Sequence, residues 1–337
     1  MIQSTIASIT QNYDLHGVQV RVRCPAEAGD IPATLAKRLE PFLGVPNSAA
    51  PDLIIEYQQE ARSFDGGGGK LRRIGKVGFR HTDLTPHLDF WFDDAGQRLL
   101  ITSGDHLLLE VRYALGKATI HLPPEYPKVI RLFTHALFSV ALIQLLKTRG
   151  LHGLHAAGFG RDGKGMLIFG ASGAGKTTLS VALLRAGLGF QGDDISLLEE
   201  VGERVVSHAF PDELDLTDDT LELFSLREQL AGDRKAPGAY KHAVRAEELF
   251  RVELLPRLEP TVLLFPRVAK KAVTSLHPIP ASEALGRLVP NMLHTSDELV
   301  AAQFSLLAKL VSQCACYHME TGTDLDTLPD RLLSLLG

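Results

Sequence analysis

Residues 155–198 read HAAGFGRDGKGMLIFGASGAGKTTLSVALLRAGLGFQGDDISLL, a strand, a glycine-rich loop and a helix followed by a pair of acids. Its centre, Gly170-Ala171-Ser172-Gly173-Ala174-Gly175-Lys176-Thr177, satisfies G-x-x-x-x-G-K-[ST] in full. The context is also that of a phosphate loop, because the apolar run GMLIFG enters it and an amphipathic helix, expected over 176–186, leaves it. Glycines 170, 173 and 175 let the backbone curl until several N–H groups point at one anion, at the positive end of a helix. Lys176 then reaches the β- and γ-phosphates, the Thr177 hydroxyl is placed to hold Mg²⁺, and Thr178 completes the anion-facing first turn. Nucleotide binding by residues 170–178 is the first expectation.

Two adjacent carboxylates, Asp193 and Asp194, follow Lys176 by 17 and 18 residues. A helix and the short strand GFQ between them carry the chain away from the loop and back, and strand ends in an open α/β sheet share the ligand edge. The pair is therefore expected to face the γ-phosphate region, on a strand neighbouring the loop's own. Two acids suit phosphorylation of a hydroxyl: one helps to fix the metal and the other accepts the proton of the attacking alcohol. The competing reading of Gly-Asp-Asp is a plain surface turn. His155 lies 21 residues before Lys176 on the preceding strand, where an imidazole donates to a phosphate oxygen or orients a carboxylate. His152 falls on the opposite face of that strand, so the two histidines are not a metal pair.

The 337 residues suffice for one large domain or two ordinary ones. A hydrophobic share of 45% and a charged share of 22% fit a soluble globular enzyme, and a net charge of −5 gives no electrostatic reason to expect nucleic acid. Three cysteines make no disulfide framework; Cys314 and Cys316 read as small fillers of a buried strand. The opening stretch lacks a basic segment followed by an apolar core, and the longest apolar run, 133–146, is too short to span a bilayer, so a cytoplasmic location and no membrane partner are expected. Residues 1–125 read as a β-rich N-terminal domain, with strands at 18–24 and 52–57, a hairpin over 88–103 turning at Asp94-Ala95-Gly96, and a further pair over 107–122. The glycine run at 66–69 and the basic cluster Lys70, Arg72, Arg73 and Lys76 read as a solvated mobile loop. A helix over 129–147 then opens a second domain, 126–337, in which strands alternate with helices. TVLLFP, 261–266, is a core strand of it; helices are expected at 281–293 and 296–312, then the strand CACYHME, a turn at TGTD and a closing helix.

The joint pattern of His155, Lys176, Asp193 and Asp194 resembles that of HPr kinase/phosphorylase and its related proteins, which carry these groups at the same separations. Further likeness lies in FDDAGQRLLIT, the helix before LHAAGF, YKHAV and YHMETGTDL. It covers roughly residues 88–337 and is strong over 151–198. The resemblance implies an α/β chain (α+β overall) with a P-loop kinase core of the HPr-kinase C-terminal-domain type. It also implies use of ATP with Mg²⁺, and transfer to a serine hydroxyl of a peptide or protein, or to a small-molecule alcohol. By the same resemblance Asp194 is the proton acceptor, Asp193 supports the metal and phosphates, and His155 sits near the transferred group. Family members supply a second metal ligand from a later strand; in FPDELDLTDDT that role stays open among Glu213, Asp215 and Asp219. The region by which the type members grip HPr and reverse the reaction is not recognisable, so phosphorylase activity does not carry over, and a homo-oligomer is only an open possibility.

The competing class is a P-loop ATPase or nucleotide-binding regulatory module with no acceptor. Against it, no L-S-G-G-Q-like segment follows, TVLLFP ends in Pro266 rather than an acid, and no N-K-x-D guanine motif is present. Lys241 is a candidate phosphate contact, and Asp324 reads as a turn residue.

Overall fold

The computed structural model describes residues 8–44, 50–64, 66, 71–78, 87–95, 97–124, 130–170, 173–211, 213–230, 241–292 and 295–337. Lys70, Gly96, Ala171 and Ser172, all named above, lie outside them. The architecture is α+β, and the chain groups into two units: Met1–Leu151 with Leu293–Val300, and His152–Met292 with Ala301–Gly337. Among the described residues no helix is long and apolar enough to cross a membrane.

Unit 1 holds β1 (Ser8–Leu15), β2 (Val18–Pro25), α1 (Ile31–Arg38), β3 (Leu53–Gln58), β4 (Leu71–Gly78), β5 (His87–Asp93), β6 (Arg98–Ser103), β7 (His106–Arg112), β8 (Lys117–His121) and α2 (Phe138–Lys147). The strands form one sheet in the order β1-β2-β3-β8-β7-β6-β5-β4. Period-two alternation dictates its buried face: Val20, Val22, Leu53, Ile55 and Tyr57 point into the core. Two expectations change here. Arg72, Arg73 and Lys76 lie in β4, paired antiparallel with β5, not in a loop. The hairpin recruits them because β5 offers partners: Asp94 just past its end meets Arg72 at 3.2 Å, Asp89 pairs with Arg73, and the two guanidinium groups stack over Phe92 and Trp91. The segment 130–151, expected to open the second domain, groups with unit 1, since α2 packs its buried Ala141, Leu142 and Leu145 onto β3, β7 and β8.

Unit 2 carries β9 (His152–Leu154), β10 (Ala157–Arg161), β11 (Lys164–Ile168), α3 (Lys176–Arg185), β12 (Gly189–Gly192), β13 (Ser196–Val201), β14 (Arg204–Ala209), β15 (Leu214–Thr217), α4 (Asp218–Leu223), β16 (Lys241–Val244), α5 (Ala246–Phe250), β17 (Arg257–Val268), β18 (Ser275–Pro278), α6 (Ala281–Leu288), α7 (Asp297–Gln313, whose first turn groups with unit 1), β19 (Ala315–Thr321) and α8 (Leu328–Leu333). Its main sheet runs β12-β10-β11-β17-β14-β13-β9, with β19 joined to β17 and β18 to β19. Strands β11, β17 and β19 are parallel. The stretch GLHGLHAAGF, 150–159, expected as one strand, breaks at His155–Ala156 into β9 and β10, which pair with different partners.

The expectation that the aspartates follow a strand neighbouring the loop's own is also revised. Asp162 and Gly163, both at positive φ, turn β10 back antiparallel onto β11, as tight hairpins require. β12 then pairs antiparallel with β10, so β11 and β12 run the same way with one strand between them. Two reversals restore direction. The start of β10 and the ends of β11, β12 and β17 therefore share one edge of the sheet, and that edge carries the site. Gln191 fixes β12 from inside: its amide donates to Ser207 O at 2.9 Å and its Oε1 accepts from Ser207 Oγ at 2.5 Å. Gly158 leaves it room, since a Cβ there would stand 2.9 Å from Gln191 Oε1.

Candidate active site

α3 begins at Lys176 with Gly175 as its N-cap, and Gly173 and Gly175 hold φ values of +84° and +88° that other residues adopt only under strain. A Cβ on Gly170 would lie 2.8 Å from that of Ala174, so the third glycine is needed for close approach. The first four N–H groups of a helix have no intrahelical acceptor, which leaves those at the start of α3 available to an anion. A cavity of about 410 Å³ opens there. His155, Gly173, Gly175, Lys176, Thr177, Thr178, Asp193, Asp194 and Lys241 all line it, as do Glu213, Asp215 and Asp219. Gly170 and Ala174 shape the loop without lining the cavity.

The side chains make a connected set. Lys176 Nζ contacts His155 Nε2. With the ammonium as donor, Nε2 accepts and the ring proton sits on Nδ1. That nitrogen lies 2.9 Å from Asp194 O and 3.0 Å from Asp194 Oδ1, so the imidazole donates to Asp194 and fixes its orientation. Lys176 Nζ is itself 4.0 Å from the same carboxyl oxygen. Asp193 points the other way, into the protein: it is 6% exposed, accepts from Ser180 Oγ at 2.6 Å, and has Thr177 Oγ1 at 3.5 Å. A surface turn does not bury a carboxylate in this way.

Environment separates the two acids. Burial pushes Asp193 above the ordinary carboxylate value, and the neighbouring Asp194 charge adds to this; the Ser180 hydrogen bond and the charges of Lys176 and Lys241 oppose it incompletely. At Asp194 desolvation by the cavity walls opposes ionisation most, although the side chain is 59% exposed at the mouth, and the hydrogen bond and charge of His155, with Lys176 and Lys241, outweigh it and hold the group below its ordinary value. Environment thus biases the two acids in opposite directions, Asp193 towards its protonated form and Asp194 towards its ionised form.

Across the cavity, β15 pairs with β16 and brings Lys241 opposite Thr217. Lys241 Nζ is 3.9 Å from Asp215 Oδ2. Asp219 sits in the first turn of α4, capped by Thr217. Among the described residues no group of three or more His, Cys, Asp or Glu is arranged to hold a metal unaided. Mg²⁺ takes most of its ligands from phosphate and water and only one or two from protein. Thr177 and the buried Asp193 fit that part, a cation being what a desolvated carboxylate lacks.

Sequence reasoning missed Ser180, Thr217, Leu223 and Val268, of which Ser180 grips Asp193 and the other three line the cavity. Ser180 had a signal, since it lies one turn beyond Thr177 on the same helix face. Burial pushes the Cys316 thiol up to about 11 and Cys314 higher still.

No protein-family model and no curated protein matches the chain. Among solved structures, the Hpr(Ser) kinase/phosphatase from Coxiella burnetii is similar over 55% of this chain and 93% of its own, at 13% identity and a TM-score of 0.30. The relationship is distant.

Proposed function

We propose that unit 2 is an ATP-dependent phosphotransferase that moves the γ-phosphate to a hydroxyl, first of all the serine of a peptide or protein, with a small-molecule alcohol as the other acceptor class. The observation that supports it is the convergence of Lys176, His155, Asp193 and Asp194 on one cavity at the mouth of a phosphate loop. In this scheme the loop N–H groups and Lys176 bind and orient the triphosphate. Asp194, kept ionised by His155 and Lys176, takes the proton of the attacking hydroxyl; a weak base serves because the transition state of phosphoryl transfer is loose. His155 donates through Nδ1 and so holds Asp194 in place. Thr177 and Asp193 would hold Mg²⁺, whose part is to neutralise charge on the β- and γ-phosphates.

The test incubates the protein with γ-labelled ATP, Mg²⁺ and serine-containing peptides or free alcohols, and follows label in the acceptor. Acceptor-dependent transfer supports the proposal. Full ATP turnover with no acceptor present would instead assign the chain to the ATPase class.

A further inference from the structure

The connection after β17 is held more firmly than a surface loop requires. Asp324 Oδ1 accepts from Thr274 N at 2.8 Å and from Thr274 Oγ1 at 2.5 Å. Arg331 donates to Asp324 Oδ2 at 3.1 Å and to Thr274 O at 3.0 Å. Gly322 N donates to Thr274 Oγ1 at 3.0 Å, Thr323 N to Lys271 O at 3.1 Å, and Ala269 N to Thr321 O at 2.9 Å. A Cβ on Gly322 would stand 2.8 Å from Val273 C, so the two segments approach this closely only with glycine. The TGTD sequence is therefore a clamp on residues 269–274 rather than a simple turn.

The clamp anchors the end of β17, and the residue there is Val268. It is 60% exposed although large and apolar, and it lines the cavity. Its Cγ2 is 3.0 Å from where a Cβ on Gly175 would be, so it stands directly against the phosphate loop. Strand order decides what it faces. Along β12-β10-β11-β17 the two aspartates and His155 flank the loop on one side, and Val268 flanks it on the other. A triphosphate whose reacting end faces Asp194 must carry its nucleoside away from that flank. We propose that Val268 is the nucleoside-contacting wall of the cavity, and that Gly322 and Asp324 are positioning residues that hold it there. This rests on the phosphotransferase reading above.

The experiment measures binding of ATP and of inorganic tripolyphosphate, each with Mg²⁺, to the whole chain by calorimetry, together with steady-state kinetics. Val268→Ala removes exposed methyl groups and leaves the fold intact; it should weaken ATP about fivefold and leave tripolyphosphate unchanged. Asp324→Ala should show the same selectivity, with its loss in KM for ATP rather than in kcat, and Asp324→Asn, which keeps the Oδ1 acceptor, should restore most of it. Unchanged ATP binding by Val268→Ala, or equal loss of both ligands, overturns the assignment. If Asp324→Ala does not fold, Val268→Ala decides alone. Failure of the unaltered protein to bind either ligand refutes the phosphotransferase reading itself, which is a separate outcome.

Discussion

In the proposed scheme, replacing Asp194 by Asn separates catalysis from architecture, because the side chain would serve the one and contributes little to the other. It is 59% exposed, and its contacts are His155 Nδ1 at 3.0 Å and Lys176 Nζ at 4.0 Å. Two unit charges 4 Å apart attract by about 1 kcal/mol in water-like surroundings, and exposed pairs deliver between zero and about 1 kcal/mol of stability. Asn keeps the oxygen that accepts from His155, so the fold should lose less than about 1 kcal/mol, read as a shift of a few degrees in Tm. Loss of a positioned general base costs about 10²- to 10⁴-fold in rate, which at 1.36 kcal/mol per decade is about 3–5 kcal/mol of barrier. Affinity for ATP should stay within about threefold, since the loop and Lys176 are untouched. Because Asp194 is held below its ordinary value, the unaltered protein should also show no loss of this base between pH 5 and pH 8. The assays are single-turnover transfer from labelled ATP, calorimetric binding and thermal melts. Transfer at the unaltered rate, or a collapse of ATP binding and Tm in parallel with activity, would refute the assigned role.

Asp193→Asn should stabilise the metal-free protein near pH 7.5 and not near pH 3. The folded value of Asp193 is raised, so its contribution is full below the unfolded value of about 3.9 and is lost as pH rises through the folded value; paired melts at the two pH values check this, and equal melting curves at pH 7.5 would count against it. Ser180→Ala removes a hydrogen bond that lowers Asp193, so Mg²⁺ activation should move to higher pH, with about 1–3 kcal/mol lost from the fold; an unmoved activation profile would show that the hydroxyl only packs. Gly158→Ala drives a Cβ against Gln191 and should cost about 1–3 kcal/mol in chemical denaturation while also reducing activity through β12, an effect that unchanged denaturation would exclude.

Much of the site was legible because its signals are local. The phosphate loop writes its own geometry into glycines, and the aspartate pair follows one helix and one short strand later. What stayed hidden depends on pairing across the sheet. Nothing in LHGLHAAGF marks His155–Ala156 as a break, since both halves are equally apolar and only their partners, β13 for one and β11 with β12 for the other, differ. Arg72 and Arg73 looked like a solvated loop after a glycine run, and it is the acids of and beside β5 that make them a strand. The helix over 138–147 shows its apolar face in the sequence but not which sheet receives it. Val268 carries no sequence signal, because one exposed valine at a strand end acquires meaning only from its neighbours on the edge.

The central position of β17 has a consequence for biosynthesis. All of the groups from His155 to Asp194 leave the ribosome before β17, and β11 and β14 have no strand between them until Arg257–Val268 has been made. Through that interval the nascent chain exposes an apolar strand edge with unsatisfied backbone groups, a template for pairing with the wrong partner. Unit 2 is therefore expected to mature only after translation has passed β17, and chains that stall or terminate before it are the ones a chaperone would have to hold.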